Sequence, residues 1–198
     1  MNNLLKIVGE LKKGKIGKLV GKRTDEFREL GKKDPDTLFK ELCFCLMTAN
    51  FNAERAIRIQ NEIDDGFLNL PEKDLAKKLK TSGHRFPNAR AKYIAEARKQ
   101  KNNLKTDRKW LITNIKGLGY KEASHFLRNT GHEDCAIIDF HIIDILADHG
   151  IIKRPKTVTA KKYLKIEKEL KKLADKLNIN LSELDLYLWY LETGKVLK

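Results

Sequence analysis

Proline and cysteine are scarce in this 198-residue chain, and acidic residues fall well short of basic ones. Four prolines and twelve glycines leave few points where a helix must break, which favours long helices over a sandwich of short strands. Three cysteines are too few for a four-cysteine iron–sulfur centre. Cys43 and Cys45 lie in an apolar stretch, and with Cys135 they suit buried thiols in a reducing cytosol. No signal peptide is visible and no apolar run is long enough to span a bilayer, so a soluble, cytoplasmic protein with no membrane partner is expected. Against 41 Lys+Arg stand only 27 Asp+Glu, for a net charge of +14 and a pI near 9.6. That excess attracts polyanions such as phosphate backbones. A lysine-rich solvated surface of the kind common in heat-adapted proteins accounts for it equally well. Hydrophobic residues make up 41% of the chain, enough for one compact domain or two small lobes sharing a core.

Read from Asp34 onward, almost every segment has helical periodicity. Asp34-Pro35 marks a helix start, followed by Leu38, Phe39, Leu42, Cys43, Leu46 and Met47 at three- and four-residue spacing. That helix ends near 48–51, and a second runs over 52–64. Pro71 opens a third, which carries Leu75 and Leu79 and stops at Ser82-Gly83; a basic helix covers 88–101. Helices follow at about 107–114 and 120–129, joined by the tight turn Gly117-Leu118-Gly119, and Asp139 caps one over 140–148. A lysine-rich amphipathic helix spans 159–177, its lysines dispersed on a solvated face. The last helix starts at Ser182-Glu183-Leu184-Asp185, which resembles a capping box, and carries Tyr187, Trp189 and Tyr190. The fold class is all-α.

Residues 115–141 carry the chemistry. Gly-x-Gly between two helices permits a sharp turn and a close approach, and the free amides of the second helix make an anion site, on a basic protein a phosphate site. Taken alone, an ordinary tight helix–helix connection explains Gly117 and Gly119 more readily. Lys121 falls in the first turn of the second helix, where a cation is disfavoured, and a free amine is the form that attacks a sugar C1′. By itself it is one surface lysine among many. Asp139 follows eighteen residues later, after Ile137-Ile138. It serves as a helix cap and is equally suited to stabilise positive charge developing on a deoxyribose. Turn, lysine and aspartate in this order are more specific than any one of them.

These residues resemble the helix-hairpin-helix DNA glycosylase superfamily, whose hallmark is a G-x-G hairpin, then a lysine, then an aspartate one helix later. Gly117-Leu118-Gly119-Tyr120-Lys121 and Ile138-Asp139-Phe140-His141 match it in order and spacing. The stretch 42–51 resembles the helix and loop that insert a polar wedge into the duplex, and 83–94 resembles the segment flanking the lesion pocket. The C-terminal residues 182–198 resemble the type 2, largely archaeal, family of 8-oxoguanine DNA glycosylases with AP lyase activity. The likeness runs from about residue 35 to the end, and the first 30 residues add little to it. It implies a two-lobed helical bundle with an inter-lobe active-site cleft, formed by the whole of 1–198 as a single unit of interleaved lobes with the hairpin and catalytic segment at 106–148.

The resemblance also implies roles. Lys121 matches the Schiff-base nucleophile and Asp139 the catalytic carboxylate. Phe86 and Trp189 match the aromatic pair that sandwiches the flipped base, and Lys198 matches a terminal lysine that separates 8-oxoguanine from guanine. Asn50 falls at the wedge. Gly117 and Gly119 match the phosphate-binding turn, whose carbonyls in the superfamily often hold a monovalent cation. No other cofactor is required, and no iron–sulfur cluster is expected. Lys116 departs from the pattern, because many members have proline there. Read without the family, Phe86 fits a stacking platform and helix packing equally, and Trp189 is a core residue by default. Val196-Leu197 suggests a tucked tail ahead of Lys198. His125 and His141 have no second ligand at a metal-site spacing, so no metal site is expected. The function implied is excision of 8-oxoguanine through a lysine Schiff base followed by β-elimination, on double-stranded DNA carrying the lesion or an abasic site, by a nucleoid-associated monomer. A glycosylase for another oxidised base, or a non-enzymatic DNA-binding module, would keep the hairpin and the basic charge.

Overall fold

The computed structural model describes all 198 residues as twelve α-helices, one 3₁₀ segment and no strand, so the all-α class holds. Helices α1 (Asn2–Lys13) and α2 (Lys15–Leu30) occupy the N-terminal stretch where the sequence reading found no element. They bury a stripe of Leu4, Val8, Val20, Thr24 and Phe27. The chain divides into two compact units. One is residues 30–130, and the other joins residues 1–29 to 131–198.

The contiguous unit contains α3 (Pro35–Thr48), α4 (Ala53–Ile63), α5 (Gly66–Asn69), α6 (Glu72–Thr81), α7 (Pro87–Ala97), a 3₁₀ segment (Arg98–Asn103), α8 (Arg108–Asn114) and α9 (Tyr120–Asn129). Asp34 caps α3 by accepting from the amides of Asp36 and Thr37, both at 3.0 Å. Because α3 is apolar on nearly every side from Phe39 to Met47, it becomes the interior helix, and α4, α5, α7 and α9 pack around it. One charge enters this core. The buried Glu41 accepts from Asn129 Nδ2 at 2.5 Å and from Gln60 Nε2 at 3.2 Å, which ties α9 and α4 to α3 through a satisfied polar network.

In the second unit α1 and α2 join α10 (Phe140–Asp148), α11 (Ala160–Leu177) and α12 (Leu181–Thr193), and α12 packs on α1, α10 and α11. Tyr163, Ile166, Leu170 and Leu173 form the buried stripe of α11, while Lys161, Lys162, Lys165, Lys168, Lys171 and Lys172 are all exposed, as the pattern predicts. The start of α12 differs from the sequence reading. Its reciprocal cap is Asn180 with Glu183, with bonds of 2.8 and 2.9 Å, and Ser182 is buried inside the first turn. No helix is long and apolar enough to cross a membrane.

Candidate active site

The hairpin lies in the contiguous unit. Asp107 Oδ1 accepts from the amide of Trp110 at 2.6 Å and starts α8. Arg108 donates to Ser124 Oγ at 3.1 Å and lies 5.5 Å over the ring of Tyr120, which fixes α8 against α9. The turn closes through a bond from the Leu118 amide to the Ile115 carbonyl, 3.2 Å. Gly117 has φ +93°, and a Cβ there would lie 2.4 Å from Tyr93 Cδ2, so both conformation and packing demand glycine. In place of the proline of many superfamily members, Lys116 pairs at 3.7 Å with Glu96. Gly119 caps α9, and its amide donates to Glu122 Oε2 at 3.3 Å.

Lys121 is thereby fixed as the second residue of α9. Its side chain is 23% exposed, and its Nζ sits 4.0 Å from Glu122 Oε1, a side chain that is 15% exposed. The amine is therefore half-buried in the first turn of α9 with a carboxylate within ion-pair reach. Glu122 was not among the residues the sequence singled out, because in the sequence it reads only as a first-turn acid.

Asn50 and Phe86, which the resemblance casts as wedge and stacking ring, belong to the same unit. Asn50 is exposed in the turn after α3, in the left-handed region at φ +55°. Phe86 stands 36% exposed at the entry to α7, with the guanidinium groups of Arg85 and Arg90 at 5.0 and 5.7 Å from its ring centre. The ring is thus not enclosed in a core. Between Asn50 and Phe86 lie residues that the sequence analysis placed only in a flanking segment. His84 is buried, and Arg90 is buried with its Nη2 donating to the carbonyl of Ala49 at 2.7 Å. Burial lowers the Arg90 pKa below its ordinary value.

The second unit carries the rest. Asp139 is half-buried and caps α10, its Oδ1 accepting from the Ile142 amide at 3.1 Å. The extended stretch before it is held from α11. Ala136 N donates to Glu167 Oε1 at 3.0 Å, Ile138 N donates to the Tyr163 hydroxyl at 3.1 Å, and that hydroxyl donates to the Ala136 carbonyl at 2.6 Å. Trp189 is half-buried on α12, edge-on to His141 at 5.6 Å, with its indole N–H buried and no acceptor in reach. It is therefore not the plain core residue that its apolar helix suggests. His141 Nδ1 faces Glu192 Oε1 at 3.1 Å, and Phe140 beside it is 65% exposed. The tail after α12 is half-buried at Val196, Leu197 and Lys198.

Thus one unit brings together the hairpin, Lys121, Asn50 and Phe86, and the other brings Asp139, Trp189 and Lys198. Comparison with known proteins gives this set a context. The 8-oxoguanine DNA glycosylase/AP lyase of Methanocaldococcus jannaschii is 52% identical, with 98% of this chain and 99% of that protein covered. A crystal structure of the M. jannaschii glycosylase/lyase in complex with a 15mer DNA containing 8-oxoguanine superposes with a TM-score of 0.95 at 51% identity, over 98% of this chain and 99% of that one. The 8-oxoguanine DNA glycosylase of Thermotoga maritima gives a TM-score of 0.93 at 44% identity, over 100% and 99% of the two chains. The family model described as 8-oxoguanine DNA glycosylase matches residues 20–179, so the chain belongs to the 8-oxoguanine DNA glycosylase family.

Proposed function

We propose that this protein is a bifunctional DNA glycosylase and AP lyase that removes 8-oxoguanine from duplex DNA and then nicks the strand. The observation that carries this reading is the 52% identity, over nearly the full length of both chains, to a relative named for both activities. The solved relative bound to DNA containing 8-oxoguanine supports duplex DNA as the partner. The reaction proceeds on a base rotated out of the stack. Asn50 fills the gap left in the duplex, Phe86 and Trp189 hold the extruded base, and Lys198 contributes to telling 8-oxoguanine from guanine. The free amine of Lys121 attacks C1′ as the bond from C1′ to N9 breaks, and the base leaves with a proton. Asp139 offsets the positive charge that builds on the sugar during this step. The amine, now joined to C1′, opens the sugar as the C1′–O4′ bond breaks and O4′ takes a proton from solvent; the resulting iminium ion acidifies C2′, loss of a C2′ proton expels the 3′ phosphate, and hydrolysis frees Lys121. An abasic site enters the same path without base departure.

The amides at the start of α9 and the surrounding positive charge hold the DNA phosphates, and one monomer serves one duplex on the nucleoid. None of the backbone hydrogen bonds of the turn ends on the carbonyls of Lys116, Gly117 or Leu118. They are oxygen donors suited to a monovalent cation, which would supply positive charge next to a backbone phosphate.

Borohydride trapping tests the reading. Incubation with an 8-oxoguanine duplex and borohydride is expected to give a covalent protein–DNA adduct that Lys121→Gln abolishes. No adduct from the unaltered protein, on this lesion or in a panel of other oxidised bases, would sink the enzyme reading. An adduct only with another lesion would move the substrate assignment.

A further inference from the structure

His84 occupies a position that its neighbours define chemically. Its Nε2 lies 3.1 Å from the carbonyl of Met47, an atom that only accepts, so Nε2 carries the proton. Its Nδ1 accepts from the amide of Phe86 at 3.0 Å, so that nitrogen is bare. Both contacts are satisfied only by the neutral ring. Its face lies against Phe51, with ring centres 4.2 Å apart and a tilt of 34°. The same loop is held from α4, where Arg58 donates to the Ser82 carbonyl at 3.1 Å and Arg55 to that of Gly83 at 3.3 Å.

The consequence for the reading elements is direct. Asn50 is exposed in a left-handed turn, with Ala49 on one side held by Arg90 and Phe51 on the other packed against His84. Phe86 presents its ring while its main-chain amide is held by His84. We infer that His84 is a positioning residue for damage recognition, latching the end of α3 to the backbone of Phe86 so that the Asn50 wedge and the Phe86 ring are presented together. This rests on the roles proposed above for Asn50 and Phe86. The charges that face the imidazole are the guanidinium groups of Arg90 from α7 and Arg55 from α4, while α3 offers it the Met47 carbonyl. Burial, with these two cations adding to it, lowers the His84 pKa below the usual histidine value. The latch is therefore complete above the ordinary value near 6.5 and is lost as pH falls from there through the lower folded value, because an imidazolium has no lone pair for the Phe86 amide.

Two variants test the inference. His84→Leu removes both bonds. His84→Asn keeps an acceptor for the amide two residues on, as in an Asx turn, but cannot reach Met47. Excision of 8-oxoguanine should fall about tenfold or more in His84→Leu and recover in part in His84→Asn, while strand cleavage at a preformed abasic site falls less than about threefold. The acid limb of the excision profile should be absent from His84→Asn. A structural readout stands apart from activity: the Phe86 amide resonance should titrate with the His84 ring in the unaltered protein. Equal losses in excision and abasic-site cleavage, or no loss in either, overturn the inference. So does a Phe86 amide that ignores His84 titration. An unaltered protein that forms no adduct with any lesion, yet shows the shared titration, would instead overturn the enzyme reading and leave the latch standing.

Discussion

At Gly117 a single added methyl group would meet two obstacles. The backbone sits at φ +93°, and the new atom would press on the face of Tyr93 at 2.4 Å. Gly117→Ala is expected to cost about 2–4 kcal/mol of stability, from the strained conformation and the steric clash together. Gly119 is different, at φ −101° with its nearest contact the flexible end of Glu122 at 3.3 Å, so Gly119→Ala should cost under about 1 kcal/mol. Denaturant titration of the two variants checks the difference, and equal losses would mean that the hairpin yields more readily than its packing implies. The positions of Lys121 and Asp139 at helix starts were legible from local signals, a glycine turn in one case and a capping residue after an apolar run in the other, whereas their proposed roles came only from the resemblance. His84 and Arg90 were not legible, because their partners Met47 and Ala49 lie dozens of residues away and no spacing rule links them, while Glu122 reads only as a first-turn acid.

Helix α11 illustrates the same point for whole elements. Its lysines mark a solvated face, correctly, but the opposite face does more than fill a core. Tyr163 and Glu167, one turn apart, supply the hydrogen bonds that the extended stretch before Asp139 lacks from any sheet. Tyr163→Phe leaves a buried amide and a buried carbonyl without their partner, and should cost about 2–3 kcal/mol. The rate of 8-oxoguanine release should fall with it, while affinity for duplex DNA changes little, since the aspartate shifts and the phosphate contacts do not. A Tyr163→Phe protein with unaltered single-turnover rate would show that Asp139 is held by its own cap alone. Helices with a strong three-to-four repeat or a capping residue were placed from the sequence to within a residue or two, as at 120–129 and 140–148. What escaped were α1, which begins without a side-chain cap bond to mark it, α2, and the true cap of α12, where Asn180 lies two residues ahead of the expected start.

At the scale of the whole molecule the charge of +14 sets how the protein meets its partner. If six or more phosphates are neutralised in the complex, affinity for duplex DNA should drop on the order of a thousandfold between 50 and 200 mM salt. Fluorescence anisotropy across that range measures the slope, and a shallow slope would assign the lysines to solvation alone, the reading that composition left open. The unit assignment carries a different consequence. Residues 30–130 form one uninterrupted stretch, whereas the other unit must join residues 1–29 to a segment that begins a hundred residues later. On a ribosome the lysine's half of the molecule can be finished while the first two helices still wait for companions not yet translated. The aspartate's half closes last, so on a nascent chain Lys121 gains its folded surroundings well before Asp139 does.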